Sequence, residues 1–204
     1  MAGLFHDGNQ PSALEFMERA AIKLAMDFTG DHSLILDDST QAHLLIEVDA
    51  FREEDLWPQL ERITASLERF NPGELLMAED AAGKDRLWNL RRKVGEAVKA
   101  HSTYKEEDTV VPRGHLPALL KAVKRIGAEY GFDSVCYGHA GDGNLHVNIL
   151  KGTLDDATWN DTLPDAIRAL FKEVIAMGGT PSSNRRGVFH FSHGSVTKDY
   201  LAEL

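Results

Sequence analysis

Two histidines and an amide stand around one tight turn in Cys136-Tyr-Gly-His-Ala-Gly-Asp-Gly-Asn-Leu-His-Val-Asn-Ile-Leu150. His139 closes a strand-like run containing Val135 and Tyr137, and His146 opens another in which Leu145, Val147 and Ile149 alternate with polar residues. Asp142-Gly143 between two such runs is a strong hairpin signal, because glycine accepts the positive φ that a tight turn demands. Asn148 follows His146 by two residues and so shares its face of the strand. The result is a compact cluster beside a glycine-rich turn, where a ligand can come close to the backbone. Imidazole pairs suit zinc, manganese or iron, with a carboxylate or another histidine as the usual third ligand. The alternative is a hairpin whose histidines are only hydrogen-bonded residues, since the six-residue gap between them is not a standard zinc spacing.

A second chemistry is carried by Leu87-Trp-Asn-Leu-Arg-Arg-Lys93. A guanidinium grips a carboxylate with two parallel hydrogen bonds, which makes Arg91 a natural anchor for an acid. Gly95, one turn on along the same helix face, leaves room for a ligand beside it. In Tyr104-Lys-Glu-Glu-Asp-Thr-Val-Val-Pro112, Lys105 reads by itself as a surface lysine, and Glu106, Glu107 and Asp108 read as a solvated strand edge.

The surrounding pattern supplies the elements that position these groups. Met1–Pro11 reads as a polar lead-in. Ser12-Ala-Leu-Glu15 has the form of a capping box, followed by Leu14, Met17, Ala21, Leu24 and Phe28 at helical spacing and closed by Gly30. A strand is expected over His43–Asp49, a helix over Glu54–Phe70 and a second strand over Glu74–Ala78. Helix Lys84–His101, strand Glu107–Val111 and a helix from Leu116 follow, with Pro117 in its first turn, where a missing N–H costs nothing. The hairpin comes next, and a last helix covers Pro164–Met177. This order implies an α+β fold: a ferredoxin-like antiparallel sheet with helices packed on one face.

The 204 residues suffice for one sizeable core. A net charge of -10 argues against a nucleic-acid partner, which needs a basic face. The single cysteine, Cys136, excludes an internal disulfide and fits a reducing cytoplasm. No apolar run reaches the length of a transmembrane segment, and the N-terminus lacks a signal-peptide pattern.

Gly138-His-Ala-Gly-Asp-Gly-Asn-Leu-His146 resembles the signature of the FAD-linked oxidase C-terminal domain, which occurs in D-lactate dehydrogenases, D-2-hydroxyglutarate dehydrogenases and the flavin subunit of glycolate oxidase. Pro11-Ser-Ala-Leu-Glu-Phe-Met17 is similar to the family's entry into that domain. The resemblance implies that residues 1–204 are the substrate-side cap domain of an FAD-dependent enzyme that oxidises a small 2-hydroxy acid, lacking both the flavin-binding domain and the closing segment, and inactive alone. It implies a divalent metal, zinc or manganese, on His139 and His146, and substrate contacts from Arg91, Lys105 and Asn148. Where the hydroxyglutarate enzymes carry a hydroxyl one turn after the arginine, this chain has Gly95.

After Gly178-Gly-Thr180 the family continues with Ser-Gly-Glu-His-Gly, whose glutamate completes the metal site and whose histidine takes the substrate's proton. Here the chain reads Pro181-Ser-Ser-Asn-Arg-Arg-Gly-Val-Phe-His-Phe-Ser-His-Gly-Ser195. One alignment sets Ser192-His193-Gly194 on the family motif, which keeps His193 as the catalytic base and loses the acidic ligand; the other treats the segment as scrambled. A second reading of the chain is a non-catalytic binding module, or degenerate gene fragment, that associates with a separate flavin subunit.

Overall fold

In the computed structural model, which describes residues 1–34, 36–78 and 80–181, the strands form one antiparallel sheet. In chain order the elements are α1 (Ala2–His6), β1 (Ala13–Glu18), α2 (Arg19–Thr29), β2 (Ala42–Glu47), α3 (Leu56–Glu68), α4 (Ala81–His101), β3 (Tyr104–Val110), α5 (Leu116–Tyr130), β4 (Asp133–His139), β5 (Asn144–Leu150) and α6 (Asp156–Ala176). Across the sheet the strands run β2-β1-β4-β5-β3, so β4 and β5, the arms of the hairpin, lie at its centre and next to it.

The α+β class and the antiparallel sheet agree with the sequence pattern, but the helices cover both faces rather than one. β4 is buried along its whole interior and β5 nearly throughout. Strands buried on both sides need an apolar layer on each. On one face Leu14, Phe16, Cys136, Leu145, Val147 and Ile149 pack with Leu119, Val123 and Ile126 of α5 and Ile167, Leu170, Phe171 and Val174 of α6. On the other, Met17, Val135, Tyr137 and Leu150 pack with Ala21, Ile22 and Ala25 of α2 and Leu90, Val94 and Val98 of α4.

Four local expectations change. The lead-in contains α1, whose Leu4 is 1% exposed in the core. The stretch taken as a capping box is β1: Leu14 and Phe16 face one core while Glu15 and Met17 face the other way, and the strand pairs on both sides, with β2 and β4. Backbone pairing to two neighbours outweighs a local capping option there, and the helix starts only at Arg19; Gly30 does close it, with φ 68°. No strand forms at 74–78, where Leu75, Leu76 and Met77 are about half exposed and join no ladder of the sheet. α6 begins eight residues before the expected point, because Asp155 caps it by accepting from the Thr158 amide at 2.9 Å, and Pro164 lies inside the helix.

The hairpin turn depends on one close approach. Gly143 has φ +81°, and a Cβ there would lie 2.0 Å from the Val111 carbonyl oxygen. Its own carbonyl accepts from the Val111 amide at 3.1 Å, which ties the turn to the end of β3. Gly152 offers the contrast, with φ +53° and no atom within 4 Å of such a Cβ. Gly152→Ala is expected to cost only the left-handed backbone penalty, about 1–2 kcal/mol. Gly143→Ala adds a backbone clash and costs more. Urea unfolding of the two variants checks this; equal losses would contradict the close approach.

Candidate functional site

One row of polar side chains crosses the sheet on the α2/α4 face. β1 brings Glu15, β4 brings Tyr137 and His139, β5 brings His146 and Asn148, and β3 brings Glu106 and Asp108. Antiparallel register sets Glu15 opposite His139, Tyr137 and Asp108 opposite His146 from its two sides, and Glu106 opposite Asn148. α2 and α4 cover the apolar end of this face around Met17, Val135 and Leu150, leaving the polar row at the other end.

The two histidines meet. Their ring centroids are 5.6 Å apart and the rings stand edge to face at 75°. His139 Nδ1 lies 2.8 Å from Glu15 Oε1, and Arg91 Nε donates to Glu15 Oε2 at 2.8 Å, with Nη2 also 2.8 Å from that oxygen in the ion pair. His146 Nδ1 lies 2.5 Å from Asp108 Oδ1 and 3.4 Å from Glu106 Oε1. Tyr137 packs against His146 with centroids 5.1 Å apart and carries the Arg91 guanidinium 5.0 Å above its ring.

The charges follow from these contacts. Burial alone would raise the Glu15 carboxyl, but the bond to His139 and the positive charge of Arg91 outweigh it and hold Glu15 below the usual carboxylate range. For His146, burial works against the proton, yet the bonds to Asp108 and Glu106 and their negative charges push the imidazole up to about 9. Tyr137 is raised to about 12, first by burial and then by the charge of Glu106.

The residues singled out from sequence are dispersed unequally. His139 and His146 come together. Asn148 lies in the floor beneath them, 1% exposed, donating to the Val135 carbonyl at 3.1 Å. Arg91 is 8% exposed, and two of its nitrogens are engaged by Glu15. Gly95 makes room for Tyr137 rather than for a ligand, since a Cβ there would sit 3.1 Å from the phenol oxygen. Lys105 occupies the opposite face of β3 from Glu106 and Asp108 and pairs with Glu107 at 3.3 Å, away from the histidines. His193 lies outside the described residues.

Sequence reasoning missed Glu15, Glu106 and Asp108. Taken together, Glu106, Glu107 and Asp108 look like a solvated run. Two-residue alternation would have separated Glu106 and Asp108 from Glu107, but only the register shows that their face is the face of His146. The ligand atoms of Glu106, Asp108 and His146 all lie within 4.8 Å of one another, a group able to hold a cation. Beside His139 opens a cleft of about 530 Å³ lined in part by Ser12, Glu15, Arg113 and Asp142; Arg113 lies 4.1 Å over the Phe5 ring.

Comparison with known proteins follows the same lines. Residues 1–184 match the family model of FAD linked oxidases, C-terminal domain. A D-lactate dehydrogenase of Anaerostipes hadrus is 29% identical over 95% of this chain and 40% of its own length. A D-2-hydroxyglutarate dehydrogenase of Stutzerimonas stutzeri is 31% identical over 97% of this chain and 41% of its own length. The glycolate oxidase subunit GlcD of Escherichia coli K12 is 32% identical over 71% of this chain and 28% of its own length. The chain thus spans about two-fifths of the first two of these relatives. Among solved structures, a 4-ethylphenol oxidase from Gulosibacter chungangensis in complex with isoeugenol shares the fold, with a TM-score of 0.50 at 15% identity over 82% of this chain and 38% of that one. No helix among the described residues is long and apolar enough to cross a membrane.

The separation of β3 into two faces is testable through Glu107. It is 6% exposed, and burial raises its pKa, with Lys105 offsetting only part of that. A carboxyl whose folded pKa lies above its unfolded value leaves the fold most stable below the unfolded value, about 4.3, and stability is lost as pH rises through the folded pKa. Glu107→Gln should therefore unfold at higher denaturant than the parent at pH 7, and the gain should vanish below about pH 4. A gain independent of pH would contradict the assignment.

Proposed function

Because the chain belongs to the FAD-linked oxidases, through their C-terminal domain, we propose that it is the substrate-side domain of a flavin-linked oxidoreductase acting on a small 2-hydroxy acid. The observation that carries this reading is the pair of imidazoles on one sheet face, each with Nδ1 on a carboxylate and with His139 lining an open cleft. A 2-hydroxy acid such as D-lactate, glycolate or a close relative presents a carboxylate and a neighbouring hydroxyl, and the cleft offers a cation and an imidazole to meet them. The flavin, when present, supplies the acceptor for the hydride leaving C2. This chain's part is to bind and orient the acid; alone it is expected to turn none over. A flavin-bearing segment or subunit would complete the enzyme.

The donor set fits a divalent ion. Two imidazoles whose ring centroids lie 5.6 Å apart, with carboxylates behind them, suit zinc or manganese. His139 and His146 would hold the ion, which would lower the pKa of a hydroxyl placed on it. Arg91 does a different job from the anchor expected of it. With Nε and Nη2 on Glu15 and the residue 8% exposed, it holds Glu15 in place and keeps it ionised. Arg113, exposed in the same cleft as His139, is the cation better placed to receive the acid's carboxylate.

Metal content tests the first part. The purified chain should carry about one equivalent of zinc or manganese, or take it up on addition, and His146→Ala should abolish it. Absence of uptake by the parent chain would overturn the metal reading. Substrate binding tests the second. D-lactate, glycolate and D-2-hydroxyglutarate are titrated into the metal-loaded chain while the imidazole resonances are followed. Losing a charge-assisted hydrogen bond of about 1.5–3 kcal/mol should make Arg113→Met bind the preferred acid some tenfold to hundredfold more weakly. An unchanged affinity would remove Arg113 from the site.

A further inference from the structure

We infer that Glu15 and Asp108 are positioning residues, which fix both imidazoles with Nδ1 protonated and so reserve the two Nε2 atoms for one shared cation. This rests on the reading of the histidine pair as a metal site, but the geometry behind it belongs to the chain alone. An ionised carboxylate can only accept hydrogen bonds. Glu15 Oε1 lies 2.8 Å from His139 Nδ1, and Asp108 Oδ1 lies 2.5 Å from His146 Nδ1, so in each ring it is Nδ1 that carries the proton. When a cation displaces the second proton, the nitrogen left to bind it is Nε2 in both rings.

The two carboxylates come from opposite sides of the hairpin. Glu15 stands on β1, directly opposite His139, and Asp108 on β3, directly opposite His146. Each ring is therefore held from its outer flank, and the edge-to-face contact of the rings lies between the two anchors. A carboxylate on the remote nitrogen of a histidine fixes the ring's tautomer and orientation and makes the ligating nitrogen more basic.

The two anchors differ in rigidity. The Glu15 side chain is 7% exposed and is locked by Arg91, whereas the Asp108 side chain is 41% exposed, with Glu106 as a second acceptor for the same His146 nitrogen. His139 is accordingly held by a fixed brace and His146 by a replaceable one.

The test uses the full chain and two variants, Glu15→Gln and Asp108→Ala. Zinc affinity is measured by competition with a chelator, and two-dimensional nitrogen–proton spectra of the imidazoles are recorded at pH 7 with and without zinc. Without metal, both rings of the parent chain should show a hydrogen-bonded proton on Nδ1. With zinc, the Nε2 resonances should move while the Nδ1 protons remain. Each variant should bind zinc about tenfold to hundredfold more weakly, still at one equivalent. Asp108→Ala guards against a folding artefact in Glu15→Gln, because its side chain is 41% exposed against 7% for Glu15. Unchanged zinc affinity in both variants would overturn the proposal. So would zinc on Nδ1 of either ring, or complete loss of zinc in a folded Asp108→Ala, which would make Asp108 a ligand together with Glu106 and His146. If the parent chain binds no zinc but both Nδ1 protons are present, the metal reading fails and the positioning of the rings by Glu15 and Asp108 stands. If those protons are missing, the positioning itself fails.

Discussion

The register of β3 against β5 is the constraint on which the site depends. Asp108 faces His146 because seven consecutive pairs, Tyr104–Leu150 through Val110–Asn144, are kept in step. A slip of one residue would turn Glu106 and Asp108 to the other face and present Lys105 and Glu107 instead, replacing two acceptors by an ion pair. Several contacts hold the step. The Thr109 hydroxyl donates to the Leu145 carbonyl at 2.9 Å, Val111 is bonded to the hairpin turn at Gly143, and Thr180, returning from α6, bridges Val110 in both directions. The last contact places the end of the described chain beside β3, two residues from Asp108.

Within that frame the protein keeps a buried ion pair where an apolar core would be easier to build. Arg91 and Glu15 are each less than a tenth exposed. Removing two charges from water is costly, and their attraction compensates only when the remaining hydrogen-bonding capacity is also used. At the carboxylate it is: one Glu15 oxygen accepts from Arg91 Nε with Nη2 beside it, and the other faces an imidazole, while the guanidinium lies over Tyr137. The pair links α4, β1 and β4 at one point. It makes the orientation of His139 a property of the folded core, although the ring itself is half exposed.

Much of this could be read from the residues. The hairpin announced itself through Asp142-Gly143 between alternating runs, and the histidine pair through its place at the two arms. Helices α3 and α5 followed from apolar spacing that burial confirms at Ile63, Leu119 and Val123. What failed were features decided at a distance. β1 carries a local helix-start signal, yet its hydrogen bonds go to β2 and β4, segments far along the chain. The apolar run Leu75-Leu76-Met77 has strand composition but no strand beside it. Glu15 lies 124 residues from the histidine it holds, and Asp108 lies 38 from its own, separations at which no local pattern operates. Arg91 was marked as an anchor for an external acid, and the acid found against it is Glu15 of the chain itself.

The chain's only thiol has a consequence of a different kind. Cys136 is 0% exposed, and burial, reinforced by the charge of Glu18, pushes its pKa far above the normal thiol range. The thiolate is the form that peroxides attack. Burial here withholds that sulfur from any peroxide in the surrounding solution. The open sulfur is instead that of Met77, 54% exposed and outside the sheet, where a thioether can be oxidised without entering either core.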